Sequence, residues 1–173
     1  MSKIAYDLSL IKAVVFDVDG VLSPCVVPLG ADGNPSRMAN IKDGYAMRLA
    51  VEKGLLLAII SGGYGENLEA RFEKLKIKEV YLKAGMKLEI LEDIMTRYRL
   101  KSENVAYVGD DIPDCECMEH VGLAVAPADA APELLEVAGY ISPCRGGYGV
   151  ARDLLEEIMR VQGLWPRTDK AFG

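Results

Sequence analysis

Two carboxylates, Asp17 and Asp19, stand directly after the apolar run Ala13-Val14-Val15-Phe16 and just before Gly20. A run of this kind is too short for a helix and reads as a buried strand of a parallel sheet. Ligands of open α/β sheets gather at the carboxyl ends of strands, and these acids fall there. Residues i and i+2 of an extended segment point the same way, so the two carboxylates are expected to share one small volume. Like charges that close are costly unless a cation neutralises them or one carboxyl stays protonated. An all-oxygen donor set suits a hard ion, and Mg²⁺ is the cofactor expected.

Two further apolar runs end in polar residues of the same kind. Leu55 to Ile60 breaks at Ser61-Gly62-Gly63, and Asn104 to Gly109 runs into Asp110-Asp111-Ile112-Pro113-Asp114, with Lys87 opening a helical pattern between them. Together these residues are what phosphoryl transfer through an enzyme carboxylate requires. Asp17 would attack phosphorus and form an aspartyl-phosphate. Asp19 would protonate the leaving oxygen and then deprotonate the hydrolytic water. The metal set is Asp17, Asp19 and Asp110, with Asp111 and Asp114 in support. The Ser61 hydroxyl and the Gly62 amide would bind phosphate oxygens at a helix start, and Lys87 would offset charge on the pentacoordinate state. Each feature alone has a plainer reading. The acids are also suited to turns and helix caps, Ser61 to an N-cap, and Lys87 to the surface. The conjunction at successive strand ends is what favours chemistry.

The elements that must position these residues alternate strictly. Runs at 79–82, 123–126 and 139–142 add three strands, and helical spacing follows each strand, ending with Val150, Leu154 and Ile158. The reading is an α/β doubly wound parallel sheet in one domain, 1–173. Between the first two strands, the segment from about 24 to 41 is expected to form a projecting β-hairpin around Asp32-Gly33-Asn34-Pro35. Asp43-Gly44 is expected to open the next helix, and the tail from Trp165 to Gly173 to fray or dock on a neighbour.

Composition narrows the function classes. With half of the residues hydrophobic, a disordered chain is excluded. A net charge of −6 with no basic face argues against nucleic-acid binding. No run has the length of a membrane span, so a cytoplasmic protein is expected. Cys25, Cys115, Cys117 and Cys144 read as inert thiols rather than as a zinc site or a disulfide framework. His120, the single histidine, has no serine or cysteine motif attached.

As a set, Phe16 to Val21, Ile60-Ser61-Gly62, Lys87 and Gly109 to Asp114 resemble the four motifs of the haloacid dehalogenase-like phosphatases. Asn40-Ile41-Lys42-Asp43-Gly44-Tyr45 with Arg48, Arg71 and the run Arg145 to Arg152 resemble the subfamily acting on 3-deoxy-D-manno-octulosonate 8-phosphate. The resemblance implies a Mg²⁺-dependent phosphatase for a phosphorylated keto-deoxy sugar acid, assembled as a homotetramer. It also implies that Asn40, Lys42, Asp43, Gly44, Arg48 and Arg71 line the substrate pocket. Two departures stand out: Ser23-Pro24-Cys25 replaces the subfamily's usual Thr-Asp-Gly, and Gly63 stands where its arginine is usual. They leave a nine-carbon sugar acid 9-phosphate as an alternative substrate. The gaps between motifs leave no room for a cap domain. An open site controls water poorly, so the hairpin is expected to pair with other subunits and a neighbour to lid each site. A phosphoacceptor signalling domain is the rival from another class, but its acids and lysine would follow different strands, and Asp19 would discharge a phosphoenzyme. A nucleotide-binding module built on Ser61 to Gly65 lacks the required glycine spacing and P-loop lysine.

Overall fold

The structure, a computed structural model, describes residues 2–166. Six short strands form one parallel sheet: β1 (Ala13–Phe16), β2 (Leu56–Ile60), β3 (Glu79–Tyr81), β4 (Val105–Val108), β5 (Leu123–Ala126) and β6 (Tyr140–Ile141). Their order is β3-β2-β1-β4-β5-β6, with every pairing parallel. Helices α1 (Ile41–Glu52), α2 (Glu66–Lys74), α3 (Lys87–Arg97), α4 (Cys115–His120), α5 (Pro132–Val137) and α6 (Val150–Val161) connect or follow the strands. The doubly wound parallel sheet expected from the sequence is what the chain forms, with no inserted cap domain among the described residues.

Alternation along each strand explains the two layers. Val14 and Phe16 of β1, with Leu57 and Ile59 of β2, pack among Met47 of α1, Phe72 of α2 and Leu154 and Ile158 of α6. Ala13, Val15, Ala58 and Ile60 face the other way, among Leu91 and Ile94 of α3, Met118 of α4 and Leu134 of α5. Successive side chains of a strand point to opposite faces, so a sheet buried on both sides needs continuous apolar runs. All four residues of β1, β4 and β5 are buried.

Two local expectations need correction. The first helix begins at Ile41, two residues before Asp43, because the Asn40 side chain accepts hydrogen bonds from the Lys42 and Asp43 amides and caps it. The segment 24–41 carries a single antiparallel bridge, Leu29 to Pro35, rather than a laddered hairpin. Pro24, Pro28 and Pro35 contribute no amide donors, which leaves too few for a ladder. The segment is a flap with a hairpin turn. Of the expected tail, Trp165 packs against the core, and residues 167–173 lie outside the described residues.

Candidate active site

β1 and β4 are neighbours at the point where the strand order reverses, which is where open α/β sheets bind ligands. Asp17 continues β1 and its amide bonds to the Val108 carbonyl, while Asp110 lies two residues beyond β4. The chain must turn sharply after β1 to leave room for the Asp110 carboxylate. Gly20 supplies that turn at φ 77°, and a Cβ there would sit 1.8 Å from Asp110 Oδ2.

Lys87, at the start of α3, is buried between two carboxylates. Its Nζ donates to Asp17 Oδ2 at 2.9 Å and to Asp114 Oδ1 at 2.8 Å. Asp114 is fully buried. Its Oδ1 also accepts from the Tyr107 hydroxyl at 2.7 Å, and its Oδ2 accepts from the Asp110 amide at 3.2 Å. Tyr107 of β4 thus fixes Asp114, Asp114 fixes Lys87, and Lys87 fixes the carboxylate of Asp17. Burial opposes the ammonium, but the charges of Asp17 and Asp114 outweigh it and raise the pKa of Lys87.

Carboxylate oxygens of Asp17, Asp110 and Asp114 lie within 4.8 Å of one another. Burial, then the charge of Asp114, pushes Asp17 up to about 7 against the pull of Lys87. Burial and repulsion from Asp17 and Asp114 push Asp110 up to about 7. The cluster therefore carries more negative charge than one lysine satisfies, and its hard oxygen donors suit a divalent cation such as Mg²⁺. Asp19 is not part of this group. Its carboxylate is taken by Arg37 of the flap, Nε to Oδ1 at 2.8 Å and Nη2 to Oδ2 at 2.9 Å.

A cavity of about 1040 Å³ contains Asp17, Asp19, Ser61, Gly62, Lys87, Asp110, Asp111 and Asp114 in its lining. The fully buried Ser61 follows β2, and its Oγ accepts from the Gly63 amide at 3.2 Å. The catalytic and phosphate residues expected from the sequence therefore line one cavity, while Asp19, expected in the metal set, stands outside the metal-capable group because Arg37 engages its carboxylate. Asp111 caps the turn after β4, accepting from the Ile112 amide at 2.8 Å.

The six residues expected in the substrate pocket lie outside this cavity within the protomer. Asn40, Asp43, Gly44 and Arg71 line a small apolar cleft with Val18, Leu22 and Phe72. Lys42 lines a separate cavity with Asn40, Tyr148 and Arg152. Arg48 bonds Glu52 on its own helix and the Lys74 carbonyl at the end of α2. Asp43 Oδ1 accepts from the Arg152 amide in the first turn of α6 at 2.7 Å, and its buried Oδ2 has no partner among the described residues. Burial holds the Asp43 carboxyl up at about 6.

Two residues of the site went unnoticed in the sequence. Tyr107 looked like core, although a lone hydroxyl in an aliphatic strand, seven residues before Asp114, is a signal. Arg37 carried no signal in its flap beyond its charge.

The family model for haloacid dehalogenase-like hydrolases matches residues 44–154. The 3-deoxy-D-manno-octulosonate 8-phosphate phosphatase KdsC of Escherichia coli (strain K12) is 37% identical over 163 residues, 94% of this chain and 85% of that protein. A crystal structure of the phosphatase of that name from Yersinia pestis superposes with a TM-score of 0.87 at 34% identity, covering 91% of this chain and 85% of that one. Another, from Moraxella catarrhalis, was solved with a magnesium ion, a phosphate ion and a KDO molecule. It gives a TM-score of 0.85 at 26% identity, covering 91% and 90% of the two chains. With the acidic cluster at the β1/β4 switch point, Ser61 after β2 and Lys87 at the head of α3, the chain belongs to the haloacid dehalogenase-like hydrolases.

Proposed function

We propose that this protein is a Mg²⁺-dependent phosphatase of phosphorylated keto-deoxy sugar acids, with 3-deoxy-D-manno-octulosonate 8-phosphate as its substrate. The observation that carries this reading is Asp17, held by Lys87 at 2.9 Å on one oxygen in a cavity shared with Asp110 and Ser61. The other Asp17 oxygen accepts from the Val18 amide at 2.6 Å, so the carboxylate is fixed for attack. The relatives named above supply the substrate class.

Asp17 and Asp110 would hold the Mg²⁺, which supplies electrostatic shielding between a phosphate and the carboxylates. Asp17 attacks phosphorus and becomes an aspartyl-phosphate as the ester oxygen leaves. Asp19 gives that oxygen its proton and then takes one from the water that hydrolyses the intermediate. Its carboxylate, engaged by Arg37, serves as acid and base rather than as a metal ligand. The Ser61 hydroxyl and the Gly62 amide receive phosphate oxygens, and Lys87 neutralises charge as it builds.

Asn40, Lys42, Asp43, Gly44, Arg48 and Arg71 enter this reading only across subunits. Val26, Leu29, Met38 and Ile41 are exposed along the flap and the head of α1, an apolar edge that suits pairing with copies of the chain. A homotetramer in which neighbours lid each site is the assembly proposed, and the cytoplasm the compartment. Among the described residues no helix is long and apolar enough to cross a membrane. A nine-carbon sugar acid 9-phosphate is the alternative substrate, favoured by Gly63 in place of the subfamily's arginine.

The test is phosphate release from the eight-carbon and nine-carbon sugar acid phosphates, with simple sugar phosphates and a phosphopeptide as controls. Preference for the eight-carbon ester, abolished in Asp17→Asn with the fold intact, is the expected result. Wild-type turnover by Asp17→Asn would refute the nucleophile. Equal turnover of all esters would refute the substrate.

A further inference from the structure

We propose that Arg37 is the positioning residue for Asp19, and that position 63 is glycine so that the two side chains can meet. The proposal rests on Asp19 acting as the acid and base.

Asp19 lies in the loop after β1 with its side chain 44% exposed, outside the group formed by Asp17, Asp110 and Asp114. A short exposed carboxylate on a loop samples several rotamers, and an acid that wanders is a poor proton donor. Among the described residues, Arg37 alone holds that carboxylate. Its guanidinium bonds both oxygens side by side and gives its third contact, through Nη1, to the Tyr64 carbonyl at 3.0 Å. A fork of this kind fixes the plane of the carboxylate as well as its position. It occupies one lone pair on each oxygen and leaves the other unoccupied, so Asp19 is held without being saturated.

Arg37 is itself well supported. Its side chain is only 10% exposed, and the adjacent Met38 amide donates to Ser23 Oγ at 2.9 Å. It joins three segments: the loop after β1, the flap, and the loop between β2 and α2. Exposed ion pairs contribute little, but a mostly buried guanidinium that uses three nitrogens at the edge of a reaction cavity orders what it touches. The space for it comes from residue 63. A Cβ at that position would sit 2.2 Å from Arg37 Nη2 and 2.9 Å from Asp19 Oδ2. A side chain at 63 would push the ends of both side chains out of this fork. Gly63 and Arg37 therefore act as a pair, and the flap reports its position to the acid through this one side chain.

The dependence of rate on the leaving group tests this. An alkyl phosphate such as a sugar acid phosphate needs a proton on its departing oxygen, whereas nitrophenyl phosphate does not. General acid catalysis contributes ~10²- to 10⁴-fold, and kcat/KM covers only the steps through departure of the leaving group, before the hydrolysis that both esters share, so Arg37→Met should lower kcat/KM for the alkyl ester by about tenfold or more and for nitrophenyl phosphate by less than about threefold. Arg37→Lys should recover part of the alkyl-ester rate, and Gly63→Ala should give the same asymmetry as Arg37→Met. If Arg37→Met does not fold, as judged by circular dichroism, the lysine and Gly63→Ala variants carry the test. Equal losses on both esters would mean that Arg37 only holds the flap, and no loss would mean that it is idle. Either result overturns the proposal. Asp19→Asn separates the two layers of the argument: normal alkyl-ester turnover in that variant removes the role of Asp19 itself. Loss in Asp19→Asn with equal losses in Arg37→Met removes only the role of Arg37.

Discussion

Asp43→Asn should make this protein more stable at neutral pH, and the gain should fade in acid. Asp43 is 3% exposed. One of its oxygens accepts from the Arg152 amide, and the other has no partner among the described residues. Burial raises its pKa from 3.8 to about 6, against the Arg152 amide bond and the nearby Arg152 and Arg71 charges. The folded chain therefore binds more protons than the unfolded chain between these values, so stability falls as pH rises through that window. A shift of 2.2 units between those two values, at ~1.36 kcal/mol per unit, sets the full penalty near ~3 kcal/mol, of which about 2 kcal/mol develops between about pH 4 and pH 7. The asparagine carbonyl still accepts from the Arg152 amide. Its NH₂ replaces the unpartnered oxygen with an unpartnered donor, at a cost of ~1 kcal/mol that does not vary with pH. The net expectation is a gain of ~1–2 kcal/mol at pH 7 and a loss of a few tenths near pH 4. Urea unfolding of wild type and variant at both pH values gives the four free energies. A difference between the two proteins that stays constant with pH would refute the account, whatever its sign. If the proposed role of Asp43 in substrate binding across subunits is right, the stabilised variant should also lose activity, because the strained charge is kept for function.

Other perturbations probe the chain of contacts behind Asp17. Tyr107→Phe removes the 2.7 Å bond to the fully buried Asp114, and should lower stability by ~1.5–3 kcal/mol, read as a Tm lower by several degrees, with a fall in kcat as Lys87 loosens. Lys87→Met leaves Asp17 and Asp114 buried without their cation. It should cost ~3–5 kcal/mol in urea unfolding and reduce phosphate release by ~10²-fold or more. Mg²⁺ at about a hundredfold above its Kd should stabilise the native protein by ~2.7 kcal/mol in a thermal melt. Asp110→Asn should abolish that rise, and an unchanged rise would remove Asp110 from the metal set.

The parts of the site legible in the sequence are those where a chemical residue type coincides with a strand end. Asp17, Ser61 and Asp110 each follow an apolar run, and topology brings the ends of β1, β2 and β4 together. Lys87 was legible because it opens the helix after β3. The flap was misread because turn chemistry at Asp32-Gly33-Asn34 pointed to a hairpin, while the surrounding prolines denied it the amides of a ladder. Asn40 was read as substrate-binding, and within the protomer it caps α1, a role that its place three residues before Asp43 also signals. Tyr107 and Arg37 were missed for opposite reasons. A tyrosine inside a strand is indistinguishable from core until its hydroxyl finds Asp114. Arg37 meets a partner eighteen residues away through a segment with no periodicity to place it.

The three acids that could hold a metal are not equivalent, and their hydrogen bonds show why. Asp114 has its Oδ1 taken twice, by Lys87 and Tyr107, and its Oδ2 once, by the Asp110 amide. Such a carboxylate is already satisfied, and a cation drawing on it would have to compete with an ammonium and a hydroxyl in a buried setting. No protein donor binds the side-chain oxygens of Asp110 among the described residues, and burial with its neighbours' charges pushes the group up to about 7. Asp17 keeps one oxygen on Lys87 and one on a main-chain amide, each with a lone pair to spare. Under the proposed function, Mg²⁺ would therefore be held by Asp17 and Asp110, one on each side of the point where the strand order reverses. Asp114 instead sets the lysine that faces them. This division would put the positive charges of the site on two different tethers, a cation on the tips of β1 and β4 and the ammonium on α3. A phosphoryl group arriving at Asp17 would then meet both positive charges at once.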